Sequence, residues 1–207
     1  MGDLSSNIII IAITCVVSFI AFGNPKVMGA LIFWPPAVSR DHDYSRFIGY
    51  GLVHANGSHL LFNMVTLYFF GRTMENVINA RIGPYGFAFF YTLGLIVSIL
   101  PTYFQHRDDP NYRSLGASGA VSAVLFAYIL FQPWAMIYVF FAIPIPAILY
   151  AVLYVGYTIW ANRRGRDSIN HSAHLWGAAY GVAFVLVMKP EVLGLFADRL
   201  MHPEFGG

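Results

Sequence analysis

The sequence predicts an all-α membrane protein, a bundle of six transmembrane helices, and three observations carry that prediction. The 207 residues are 57% hydrophobic and only 11% charged, against roughly 45 to 50% apolar and about 25% charged residues in an average soluble domain. Six apolar runs come near the length of about 20 residues that a hydrocarbon core of roughly 30 Å demands of a helix. They cover 7–22, 58–77, 84–104, 115–131, 136–161 and 171–188, which leaves little chain over, so one domain spanning 1–207 is expected, with no soluble appendage.

Taken in order, span one follows Asp3 with no Lys or Arg before it and no small-residue cleavage signal. It is therefore expected to stay in the protein and not to be a removed signal peptide. The connection over 24–57 is rich in Pro, Gly and aromatic residues and far too long for a turn, and a long structureless loop is usually functional. Span two carries His59 and Asn63 in its first turns, and near its end, beside Arg72, Glu75, which is expected to make a structural contact that fixes the end of the helix and not to stand as a solvated helix end. Span three brings no Asp, Glu, Lys, Arg or His. Span four opens with Gly116-Ala117-Ser118-Gly119-Ala120. Pro144 and Pro146 interrupt span five, where they remove backbone bonds and kink or loosen a helix. Span six opens with His171 and His174, in Ala173-His174-Leu175-Trp176-Gly177.

Some chemistries are excluded at once. Cys15 is the only cysteine, so neither an internal disulfide nor a cysteine-based metal cluster can form. A formal charge of +2 with scattered basic residues gives no footprint for nucleic acid.

Ionisable side chains inside membrane segments are costly, so His54, His59, His171 and His174 each need a reason. Alternate helices of a serial bundle enter from the same membrane face, which gives His59, Asn63, Ser118 and His174 one face and similar depth. His174, Gly177 and Gly181 fall on one stripe by i, i+3 and i+7 spacing, and Gly116, Gly119, Ala120 and Ala123 offer span four a comparable small surface. Two such stripes permit close backbone approach, close enough for a hydrogen bond between Ser118 and His174. A serine whose proton is taken by a neighbouring histidine is the minimum equipment for acyl transfer. Asp41, Asp43, Asp108, Asp109 and Asp167 all lie in loops, so a dyad without an orienting acid is expected. Asn63, His59 and the Ser118 backbone N–H are the available donors for a tetrahedral oxyanion.

Alternatives exist for each motif. By itself, 116–120 is more often a helix-packing motif than a nucleophile site. His171 and His174 could join His54 or His59 around a metal. No carboxylate or cysteine completes that set and Ser118 would go unused, so no metal and no cofactor are expected. The arginines at 163, 164 and 166 read as lipid-headgroup anchors, and the many Phe and Tyr residues as lipid-facing or interfacial.

These residues resemble the rhomboid family of intramembrane serine proteases. The matching pieces are Gly116-Ala117-Ser118-Gly119, then Ala173-His174-Leu175-Trp176-Gly177 with Gly181, then His54, His59 and Asn63 in His-x4-His-x3-Asn spacing. Gly71 with Glu75, and Arg46 eight residues before His54, look like the family too. The resemblance implies Ser118 as nucleophile, His174 as general base and then acid, and His59 and Asn63 in the oxyanion hole. It implies support from His54 at a water-filled mouth, with Gly116 and Gly119 framing the nucleophile. It also implies that span five with the loop after it forms a mobile cap and gate, and that the first loop lies partly in the membrane. Two departures are visible: Ser45 stands where the family often has Trp before Arg, and Ser122 where an aromatic ring often stacks on the catalytic histidine. The family's orientation places most loop arginines on the outer side, the reverse of the usual cytoplasmic bias of Lys and Arg.

The expectation is thus a serine endopeptidase acting on single-span transmembrane proteins in a lipid bilayer, as a multi-pass protein of a bacterial inner membrane. The alternative is a catalytically silent rhomboid-like protein that binds transmembrane helices; retention of both Ser118 and His174 favours the enzyme.

Overall fold

The computed structural model describes residues 5–140, 142–165 and 169–203. Helices occupy all six expected places: α1 (Ser6–Gly23), then, after three short helices in the first loop, α2 (Pro25–Leu31), α3 (Pro35–Asp41) and α4 (Arg46–Gly49), come α5 (Gly57–Ile82), α6 (Gly86–His106), α7 (Ser118–Phe131), α8 (Ala147–Arg164) and α9 (His171–Met188). A further helix, α10 (Val192–Met201), follows. Among the described residues, α1, α6 and α9 are long and apolar enough to cross a membrane, and α7 is a shorter apolar helix of 14 residues. The other two expected places are held by α5 and α8, whose more polar composition does not by itself mark them as membrane spans.

The short helix is the centre of the molecule. All residues of α7 except Ser118 and Tyr128 are buried, with α5, α6 and α9 packed around it. A helix sheathed by other helices does not have to match the bilayer, so about 21 Å of length suffices at 1.5 Å per residue. The closest approach is to α9. A Cβ built on Gly177 would lie 2.0 Å from the Gly119 carbonyl oxygen, and one on Gly181 2.1 Å from that of Ala123. The two small-residue stripes do face each other, backbone against backbone.

The first loop differs from the structureless connection expected. Its helices are tied down by contacts distant in sequence. Arg46 pairs with Asp43 at 2.8 Å and donates to the carbonyls of Gly29 and Ile32 at 2.9 and 2.7 Å. Ser45 donates to the same Asp43 carboxylate. That hydroxyl, with Arg46 beside it, holds Asp43 below the usual carboxylate range. Arg46 thus anchors the loop where the resemblance looked to a tryptophan. Phe33 and Ser114 exchange backbone bonds at 2.9 and 3.0 Å, which clamps the loop onto the segment leading into α7.

Span five also differs. Met136–Val139 (β1) and Ile143–Pro146 (β2) pair as an antiparallel hairpin, and α8 begins only at Ala147. Pro144 and Pro146 therefore do not kink a helix. Proline cannot donate to a ladder but is tolerated on the free side of an edge strand, and its fixed φ suits the residue just ahead of a helix. Glu75 does make a structural contact near the end of its helix, and its partner is the start of α1: the carboxylate accepts from the Ser5 hydroxyl and from the Asn7 backbone N–H at 3.3 Å. A negative charge at the start of α1 satisfies amide groups that have no intrahelical acceptor.

Candidate active site

The turn into α7 is held from three sides. Gly116 has φ +108°, a conformation that side chains avoid, and a Cβ there would also strike the His59 imidazole at 2.5 Å. Its N–H donates to the Tyr50 carbonyl at 2.9 Å. The next N–H, that of Ala117, donates to His54 Nε2 at 3.4 Å. His54 is fully buried, with Nδ1 2.9 Å from Ser18 Oγ, which itself lies 2.7 Å from the Leu52 carbonyl. If the serine donates to that carbonyl, His54 must donate from Nδ1 and accept at Nε2, so it is a neutral strut linking α1 to the nucleophile turn. Gly119 is equally constrained, since a Cβ would meet Ser98 Oγ at 2.3 Å.

With the turn fixed, Ser118 Oγ lies 2.6 Å from His174 Nε2. His174 sits in the first turn of α9, whose N-terminus is capped by Asn170: its Oδ1 accepts from the Ala173 N–H at 3.0 Å. The Asn170 amide also donates to Thr102 on α6 at 3.0 Å and to Ser114 at 3.3 Å. Asn170 was not singled out from sequence. An Asn immediately before an apolar run is a capping signal that pointed to it.

Ser118 and His174 open onto a cavity of about 660 Å³ that His59, Asn63, Gly116 and Gly119 also line. Asn63 donates one amide hydrogen to the His59 carbonyl at 2.9 Å, which leaves its second hydrogen for a guest in the cavity. His59 stands edge to face with His54, ring centres 4.9 Å apart. No side chain caps the start of α7. The N–H of Ser118 is therefore one of the helix-terminal donors without an intrahelical acceptor, on a residue that lines the cavity. The structure thus brings together Ser118, His174, His59, Asn63, Gly116 and Gly119, and sets His54 behind them.

His171 is buried, with its ring edge to face against Tyr157, ring centres 5.9 Å apart. Among the described residues, no three His, Cys, Asp or Glu side chains converge as metal ligands would. The position at Ser122 also resolves: its hydroxyl bonds the Tyr154 phenol at 2.8 Å, and the Tyr154 ring lies 6.2 Å from that of His174.

The chain is also similar in sequence to known proteins. A stretch of 152 residues is 33% identical to RHOMBOID-like protein 12, mitochondrial, of Arabidopsis thaliana, covering 66% of this chain and 44% of that protein. Another of 166 residues is 29% identical to Rhomboid-related protein 1 of Caenorhabditis elegans, covering 76% of this chain and 43% of that one. The chain spans less than half the length of these relatives. They are plant and animal proteins, one named as mitochondrial, so they support a membrane protein but not the bacterial inner membrane in particular. Residues 41–191, well over half the chain and all of the site just described, match the rhomboid domain; this protein belongs to the rhomboid family.

Proposed function

We propose that the protein is an intramembrane serine endopeptidase whose six main helices cross the bilayer and which cleaves single-span transmembrane proteins. The observation that carries the proposal is the 2.6 Å contact between Ser118 Oγ and His174 Nε2 at the wall of a cavity lined by Asn63 and His59. A packing serine has no need of a histidine at that distance, nor of an uncapped helix start beside it.

In this reading His174 removes the Ser118 proton as Oγ attacks the scissile carbonyl. The oxyanion is received by the Ser118 N–H, the free Asn63 amide hydrogen and the His59 imidazole. His174 then gives its proton to the departing amine, and water, activated by the same imidazole, hydrolyses the acyl-enzyme. No cofactor enters any step. Asn63→Ala and His59→Ala are each expected to lower kcat by roughly ten- to a thousandfold. A rise in KM at constant kcat would instead place both residues in ground-state binding.

The site also bears on the substrate class. An intact helix in lipid satisfies its own amides, so its backbone must unwind before a serine can reach a carbonyl. Ser118 starts a helix about 21 Å long inside a core of roughly 30 Å, which puts the nucleophile toward one face, where the cavity admits water. The test is to reconstitute the protein in liposomes with single-span substrates and map product termini by mass spectrometry. Cuts are expected near the end of the substrate helix on the Ser118 side, at small or helix-breaking residues. Cuts at the centre of a stable polyleucine span would contradict the site's depth. Binding without any cleavage would favour the silent, helix-binding reading.

A further inference from the structure

We infer that Tyr154 is a positioning residue for the general base, and that it performs this role from α8, a helix that carries neither Ser118 nor His174. The inference rests on the protease reading of the site. The Tyr154 ring lies 6.2 Å from the His174 ring at 25° from parallel, within the range of offset stacking. Its hydroxyl is bonded to Ser122 Oγ at 2.8 Å. Ser122 is four residues after Ser118, one turn along α7, so the helix that carries the nucleophile also fixes the ring facing the base. Phe126, a turn further on, packs against Tyr154 at 5.6 Å, and Tyr150 stacks on it at 5.8 Å and 26°. The phenol is thus located from its tip, its edge and its face.

This arrangement acts on the reaction and not merely on packing. A neutral imidazole becomes an imidazolium as Ser118 attacks, and an aromatic face beside it attracts the charged form. That attraction exists in the transition state and is weak in the ground state, which is the condition for raising kcat without tightening substrate binding. The ring also restricts the imidazole to the plane in which Nε2 meets Ser118. Since Tyr154 belongs to α8, the base is held in register only while α8 is docked on α7 and α9.

The test compares Tyr154→Leu, Tyr154→Phe and Ser122→Ala with wild type in kcat, KM and rate of fluorophosphonate labelling. Tyr154→Leu is expected to lower kcat about 10- to 100-fold, as a base displaced by around an ångström would. Labelling should fall in parallel, with KM within about twofold of wild type. Tyr154→Phe keeps the ring and should recover most of the lost kcat; Ser122→Ala removes the same tether from the other end and should match it. If Tyr154→Leu does not give a cooperative unfolding transition in detergent, Tyr154→Met carries the same comparison. Wild-type kcat in the aliphatic variant, a loss confined to KM, or a Phe variant as slow as Leu would each overturn the inference while leaving the dyad in place. A wild-type protein that neither labels nor cleaves would instead remove the protease reading beneath it.

Discussion

Ser118→Ala is expected to abolish cleavage, by a factor on the order of 10⁴ or more, while thermal unfolding in detergent stays close to wild type. The two halves of that expectation have separate causes. Loss of the hydroxyl removes the atom that forms the acyl-enzyme, and water held by His174 in the same cavity is a poor substitute without the covalent route. Stability is little affected because Ser118 is only partly buried, lies at the cavity wall and gives no side-chain cap to α7. The lost bond to His174 is of the kind worth about 1 kcal/mol net, and water can replace it. Labelling by a fluorophosphonate should occur at Ser118 and should need His174, because an unassisted serine hydroxyl is a weak nucleophile. Wild-type cleavage by Ser118→Ala would remove this residue from the mechanism, and equal labelling of His174→Ala would remove the base.

The pairing of Ser118 with His174 was legible because its cause is local and periodic. Small residues at helical spacing announce where two helices can touch, and Gly177 and Gly181 do meet the carbonyls of Gly119 and Ala123. The first loop was not legible, because its helices depend on partners far away: Arg46 on carbonyls at 29 and 32, Phe33 on Ser114, Gly116 on Tyr50. No pattern within 24–57 encodes those partners. The hairpin before α8 was hidden for another reason. The apolar run at 136–161 is continuous in hydropathy, and apolarity alone does not separate a strand pair from the start of a helix. Tyr150, Tyr154 and Tyr157 stand at i, i+4 and i+7, a spacing that marks one helix face. Aromatic residues in a membrane segment default to the lipid side, and that default concealed the ring that lies against His174.

The same one-carbon change is expected to have opposite effects at two glycines. Gly177→Ala should destabilise the protein severely and abolish activity with it; Gly156→Ala should leave activity intact and raise stability by up to about 1 kcal/mol. Both glycines lie within helices, α9 and α8, so the intrinsic gain from replacing glycine by alanine is the same at each. What differs is the space. Nothing lies within 4 Å of a Cβ on Gly156, whereas one on Gly177 would sit 2.0 Å from the Gly119 carbonyl oxygen, 2.8 Å from its carbon and 3.1 Å from its Cα. Overpacking against side chains costs roughly 1 to 3 kcal/mol because rotamers can yield. Here the obstacle is backbone in a helix buried on nearly every side, so relief requires α9 to move away from α7 by an ångström or more, on the order of the shortfall from an ordinary contact. That movement would carry His174 away from Ser118, since both lie within one turn of the clash. Thermal unfolding and fluorophosphonate labelling of the two variants in detergent check the contrast, and a Gly177→Ala protein with wild-type stability and labelling would show that the α7 and α9 contact does not hold the dyad together.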